Sequence, residues 1–227
     1  MPRNEFGRDL RFLQEELLTV GSMVEKAIAN SVDALKRRDL ELSRQIVQDD
    51  GIIDARRNDI EERCVNLIAR QQPMATDLRT IIAILQIVGE LERIGDYASG
   101  IAKISLAMGN EPPIKPLIDI PRMADKAAHM LRRSLDSLVG RDIVAAEGIR
   151  ADDDEVDALY DQIYRELLTF MLEDPRTITR ATYLLWVAHD LERIADRATN
   201  IAKRVIYLVT GEHVKTKNLA SAGSQHP

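Results

Sequence analysis

Apolar residues recur at three- and four-residue steps along nearly the whole chain, and no segment sustains a strict alternation of apolar and polar positions. That period predicts helices over residues 5–37, 39–71 and 74–108, then over 121–139, 142–172 and 176–211. Asp39 and Asp142 follow short turns and suit the N-cap, where a carboxylate accepts from amides the helix leaves free. Pro73 and Pro175 stand where the third and sixth helices can begin, because a first turn does not need their missing N–H. The stretch EPPIKPLIDIP at 111–121 has four prolines and reads as a stiff link. A helix of about 33 residues is about 50 Å long. Three such helices joined by short turns pack up, down and up.

The pattern occurs twice. Residues 91–104 read LERIGDYASGIAKI and residues 191–204 read LERIADRATNIAKR. SVDALKRRDL (31–40) aligns with SLDSLVGRDI (134–143), and QDDGIIDARRNDI (48–60) with ADDDEVDALYDQI (151–163). The chain is therefore expected to be all-α, two tandem antiparallel three-helix bundles made by duplication. The first bundle takes residues 1–110, the proline-rich linker 111–120, the second bundle 121–211, and a polar tail 212–227.

Composition narrows the partners. The net charge is −6, so the chain has no long-range attraction for a phosphate backbone, and nucleic acid is excluded as a default partner. Polyvalent cations or a basic patch on another protein fit better. The single cysteine, Cys64, allows no internal disulfide and sits among apolar helical residues, as a small buried hydrophobe would. The N-terminus lacks the apolar run of a signal peptide, and the longest apolar stretch, 81–89, is broken by Gln86. No transmembrane segment and a cytoplasmic location are expected.

The candidate chemistry lies in four pairs of carboxylates. Asp50 and Asp54 are four apart on the second predicted helix, and Glu92 and Asp96 on the third. Asp153 and Asp157, then Glu192 and Asp196, repeat the spacing on the fifth and sixth. Residues four apart share a helix face. On a wheel of about 100° per residue, Asp96 falls near Glu92, while Leu91, Ile94, Ala98 and Ile101 gather on the other side as the core face. The pairs are therefore expected outside the core, as a surface stripe. Like charges at this spacing cost about 0.2–0.5 kcal/mol per pair, a cost that a bridging cation removes. Helices packed about 8–10 Å apart can offer up to four carboxylates to one cluster of metal ions. The hard oxygen donors suit magnesium, calcium, manganese or iron. Solvated surface charge is the competing reading, with Arg93, Arg193, Arg197, Lys103 and Lys203 near enough to neutralise part of it.

The order of the motifs RCVNLIARQQPMATDLR (63–79), GELERIGDYASGIAKI (89–104) and HDLERIADRATNIAKR (189–204) resembles the PhoU family over residues 5–211. The resemblance implies two three-helix bundles. It also implies surface metal clusters held by a motif of Glu or Asp, three residues, then Asp. That motif falls here on Asp50 and Asp54, Glu92 and Asp96, Asp153 and Asp157, and Glu192 and Asp196. Iron, zinc, manganese or magnesium are the ions in question. The family resemblance further implies negative regulation of the phosphate regulon. The partners it implies are the ATPase subunit of a phosphate ABC transporter and a sensor histidine kinase, which would hold the chain at the inner face of the membrane. Metal bridging of acidic surfaces would permit a homodimer.

Two other readings compete. A carboxylate-bridged metalloenzyme calls for Glu-x-x-His motifs facing the bundle core, and none of His129, His189, His213 and His226 follows a glutamate at that spacing. His189 precedes Glu192 by three residues, but Gly89 holds the matching place in the first repeat, so His189 reads as incidental. There is no glycine-rich phosphate loop and no nucleophile signature, so a binding protein is expected rather than an enzyme. A helical adaptor without metal is the other alternative. The basic cluster Arg37, Arg38, Arg56 and Arg57 has acidic neighbours and reads as mixed surface, and Trp186, beside Leu184, Leu185 and Val187, reads as a packing residue.

Overall fold

The computed structural model describes residues 2–212, and among these it has six α-helices and no strand. They are α1 (Pro2–Arg37), α2 (Leu40–Gln71), α3 (Thr76–Met108), α4 (Asp119–Gly140), α5 (Ile143–Glu173) and α6 (Ile178–Thr210), with a 3-10 turn at Pro175–Thr177 ahead of α6. Residues 213–227 of the expected polar tail, with His213 and His226, lie outside the described residues. None of the described helices is long and apolar enough to cross a membrane.

The turns that open α2 and α5 are built alike. Asp39 accepts from the Leu42 amide at 2.9 Å, and Asp142 from the Ala145 amide at 3.0 Å. Ahead of each cap an arginine, Arg38 or Arg141, takes a left-handed conformation with φ of 60° or 50°. The amide of Asp39 reaches Ala34 O and that of Asp142 reaches Ser137 O. This is the paired closure that commonly ends a helix, here with no glycine in it. The prolines act differently in the two halves. Pro175 opens the 3-10 turn, whereas Pro73 lies three residues ahead of α3, in the connection.

Each half is a three-helix bundle, and one apolar core runs through both. Leu17 and Ile28 of α1, Ile60 of α2, Leu91 and Ile94 of α3, Met130 of α4, Ile163 of α5 and Leu191 of α6 belong to a single buried cluster. Burying a side chain of this size contributes about 1.5–3 kcal/mol. The halves meet where α3 packs on α6 and α1 on α4. Close approach depends on small residues there. A Cβ on Gly21 would collide with Leu135 of α4, and one on Gly100 would stand 2.9 Å from Asp190 Oδ2 of α6.

The first helices of the two halves differ in length, 36 residues in α1 against 22 in α4. Part of the shortfall is met by the proline-rich connection. Its Ile114 and Leu117 pack against the core, and Lys115 binds Asp119 and Glu166. Arg38 and Arg180 donate to the carbonyls of Asn110 and Pro112 at 3.2 and 3.3 Å. Trp186 is not a packing residue. It is 52% exposed, with Tyr183 edge-on at 5.7 Å. Four successive apolar residues, 184–187, sweep most of a helix circumference, so one of them has to face outward.

Candidate metal-binding grooves

All eight sequence-predicted carboxylates stand on adjacent, antiparallel helices, four in each half. In the first half α2 supplies Asp50 and Asp54 while α3 supplies Glu92 and Asp96. The register that brings them level also places Ser43 Oγ 3.1 Å from Ser105 Oγ, one end of the same helix pair. Burial, then the charges of Asp96 and Asp54, push the Asp50 carboxyl above its ordinary range. Glu92 is raised by burial and by Asp96 and Asp54, and Asp96 by burial and by Asp54. The four groups thus share one electrostatic environment.

The second half repeats the arrangement between α5 and α6. Burial, Asp157 and Asp196 push Asp153 up to about 6. Burial and Asp196 are the leading causes that raise both Asp157 and Glu192. In each of these groups burial is the leading cause, and the neighbouring carboxylates add to it.

The carboxylates do not form a simple outer stripe. Asp50, Glu92, Asp153, Glu192 and Asp196 are half-buried, and only Asp54, Asp96 and Asp157 are fully on the surface. The wheel treats each helix alone, whereas packing turns the flanks of two helices toward one another and makes a groove.

Cations line the grooves unequally. Lys103 offsets part of the charge at Asp50 and Asp96, and Lys203 does so at Asp153. Arg57 lies against Glu92 and is also paired with Glu61 at 2.9 Å. Arg193 pairs with Asp196 at 2.7 Å. Arg197 offsets part of the charge at Glu192, as expected, and also crosses to the other half, where it meets Glu90 at 3.4 Å. The basic cluster elsewhere is mixed surface: Arg37 pairs with Asp33 at 2.9 Å and Arg56 with Glu16 at 3.1 Å.

The donor chemistry fits a hard or borderline divalent ion, and unsatisfied buried oxygens point the same way. Glu192 Oε2 is buried without a hydrogen bond. The hydroxyls of Ser99 and Thr199, 1% and 5% exposed, face Asp50 and Asp153 and draw their pKa values down, yet neither oxygen completes a hydrogen bond. Buried polar atoms are normally partnered. Against this, among the described residues no three His, Cys, Asp or Glu side chains are gathered closely enough to hold an ion as they stand. The donors are present in the groove; side-chain rotation would have to close them on a metal.

Sequence reasoning set aside one neighbour of the second groove and missed a buried carboxylate at the contact between the halves. His189 Nδ1 lies 3.8 Å from Glu192 Oε2, with the Tyr160 ring 6.3 Å away. The three-residue spacing of His189 and Glu192 was the available signal. Asp190 is pushed up to about 6 by burial and, among the described residues, has no ion pair or hydrogen bond. Nothing in the sequence shows that it faces Gly100 of the other half.

Comparison with known proteins gives the same architecture. The PhoU domain family matches residues 17–105 and 120–205. A Rhizobium meliloti protein described as a phosphate-specific transport system accessory protein PhoU homolog is 40% identical over 91% of this chain and 87% of its own length. An Aquifex aeolicus protein of the same description is 40% identical over 95% of this chain and 98% of its own. The crystal structure of PhoU from Pseudomonas aeruginosa superposes with a TM-score of 0.87 at 38% identity, covering 91% of this chain and all of that one. Two matched PhoU domains, two three-helix bundles and relatives spanning nearly the whole chain identify it as a member of the PhoU family.

Proposed function

We propose that this chain is an accessory protein of a phosphate-specific transport system that regulates phosphate uptake by binding rather than by catalysis. The printed descriptions of its relatives support the transport role. The observation that carries the binding reading is the pair of four-carboxylate grooves, one in each bundle, at equivalent places on adjacent helices. Asp50, Asp54, Glu92 and Asp96 would hold metal in the first, and Asp153, Asp157, Glu192 and Asp196 in the second. Bound iron, zinc, manganese or magnesium would supply positive charge there. The chain's own part is to present the oxygens and to fix α2 against α3 and α5 against α6. The two bundles then dock, in the cytoplasm, on the transporter's ATPase subunit and on a sensor histidine kinase, keeping phosphate-starvation signalling off while phosphate is ample.

The test has two arms. Untagged protein is assayed for metal by elemental mass spectrometry beside a variant with all eight carboxylates changed to amides. Several ions per wild-type chain and none in the variant support the grooves as sites; two metal-free proteins after loading remove them. Co-purification with the ATPase subunit and the kinase at high and low phosphate tests docking, and contact with neither under both conditions ends that claim. The lack of a closed three-ligand group favours a second reading, a metal-independent adaptor. It requires Asp96→Asn and Asp196→Asn to leave signalling intact.

A further inference from the structure

The two grooves carry equivalent carboxylates, but their walls differ. Where the second groove has His189, the first has Gly89; where the second has Tyr160, the first has Arg57. Arg57 brings a permanent cation to Glu92. His189 brings a nitrogen donor to Glu192, and Tyr160, whose hydroxyl is raised by burial and then by Glu192, stands beside both.

We propose that the grooves are chemically distinct metal sites, with His189 a ligand of the second, which is selective for zinc-class ions, while the first is an all-oxygen site of the magnesium and manganese class. This rests on the metal reading above and adds to it a ligand outside the repeated acidic motif and a division of labour between the halves.

The geometry around His189 supports this assignment. Its Nδ1 is 3.8 Å from Glu192 Oε2, too far for a hydrogen bond. Two atoms that share one ion through bonds of about 2.0–2.2 Å stand at most about 4.4 Å apart, so the observed gap is one an ion can bridge. Glu192 Oε2 is the buried oxygen without a hydrogen bond, so the atom nearest the imidazole is also the one that lacks a partner. The Thr199 hydroxyl, 5% exposed and without a completed hydrogen bond, lies in the same groove, close enough to Asp153 to draw its pKa down. The imidazole itself is 53% exposed, free to turn about its side-chain bonds. Imidazole favours zinc, iron and nickel, while carboxylate and water suit magnesium and manganese. The first groove offers no imidazole in the matching place, and arginines offset part of the charge in both grooves, Arg57 and Arg93 at Glu92, Arg193 and Arg197 at Glu192, so the nitrogen donor is what separates them.

The structure also provides a gain-of-function control. A Cβ on Gly89 would meet nothing within 4 Å, so a side chain can start there without a clash.

The experiment uses untagged full-length protein with one groove silenced at a time by amide substitution of its four carboxylates. Zinc and manganese are titrated calorimetrically, and the zinc-loaded protein is examined by X-ray absorption for imidazole. With only the second groove active, His189→Gln should weaken zinc binding about tenfold or more, leave manganese binding within twofold, and remove the imidazole signal. With only the first groove active, Gly89→His should strengthen zinc binding and introduce that signal. Melting curves establish that each variant is folded. Unchanged zinc affinity and spectrum in His189→Gln overturn the inference while leaving the metal reading in place. Failure of both grooves to bind either ion overturns both.

Discussion

The two halves differ in charge where they touch. At the contact of α3 with α6, Glu90 and Asp190 hold equivalent places, as do Tyr97 and Arg197. Glu90 has a cation, because Arg197 reaches it from the other half at 3.4 Å, with both side chains largely buried. Among the described residues Asp190 has none: the residue matching Arg197 is Tyr97, and the Asp190 carboxylate lies against bare Gly100. Two copies of one bundle can thus keep the same backbone while one carries a compensated buried charge and the other an uncompensated one. Position in a helix repeat sets where a side chain points; the partner it finds depends on a helix elsewhere in the chain.

The sharpest way to break this comparison is to take away the compensation. Removing one member of a buried ion pair costs about 3–5 kcal/mol. Arg93, 3.8 Å from Glu90 but 58% exposed, would keep part of the balance. Arg197→Ala is expected to lower stability by about 2–3 kcal/mol in urea unfolding followed by circular dichroism. A change under about 0.5 kcal/mol would mean that solvent already screens the pair.

Metal should stabilise both halves, if the grooves are sites. An ion at 100 times its dissociation constant adds about 2.7 kcal/mol per site. Manganese or zinc is therefore expected to raise the melting midpoint, and a chelator to reverse the rise. The eight-amide variant should show no such response. Without metal it should be the more stable protein, by about 1–2 kcal/mol, because four like-charge pairs are gone. A metal-free variant less stable than wild type would show that the carboxylates make structural bonds of their own.

The uncompensated half makes the opposite prediction to Arg197→Ala. Asp190 is raised to about 6, above its value in an unfolded chain, so above about pH 6 the fold carries the cost of holding the charged form. Asp190→Asn removes that charge and is expected to stabilise the protein at pH 7 by about 1–2 kcal/mol, after allowance for the solvent that still reaches the group. Equal midpoints for wild type and variant at pH 7 would mean that water satisfies the carboxylate.

Much of this was legible along the chain. Apolar spacing and the repeated motif predicted six helices and their pairing, because both depend on local period and on short turns. The same spacing put each acidic pair on one face, and adjacency of α2 with α3 and of α5 with α6 brought the pairs together. What the sequence hid is set by packing between helices. Periodicity does not show that Asp50 and Asp153 sink into grooves, that Arg197 answers Glu90, or that Gly100 makes room for Asp190. His189 was visible at three residues from Glu192, yet the glycine in the matching place argued against it. That argument assumed the halves were chemically alike, and their walls show that they are not.

The smallest expected effect compares the two turns. Arg38 and Arg141 end their helices in the same left-handed conformation, at φ of 60° and 50°. A residue with a Cβ pays about 1–2 kcal/mol there, while glycine adopts the shape freely but loses more entropy on folding. The net gain for Arg141→Gly is therefore expected to be about 0.5–1 kcal/mol. Arg38→Gly should gain less, because the Arg38 side chain also donates to Asn110 O at 3.2 Å, tying the turn to the segment that leaves α3. The measurement is a pair of urea midpoints against wild type. If Arg38→Gly gains as much as Arg141→Gly, the tether to Asn110 contributes nothing. If both lose stability, each arginine is held by contacts of its own that outweigh the strain of the turn.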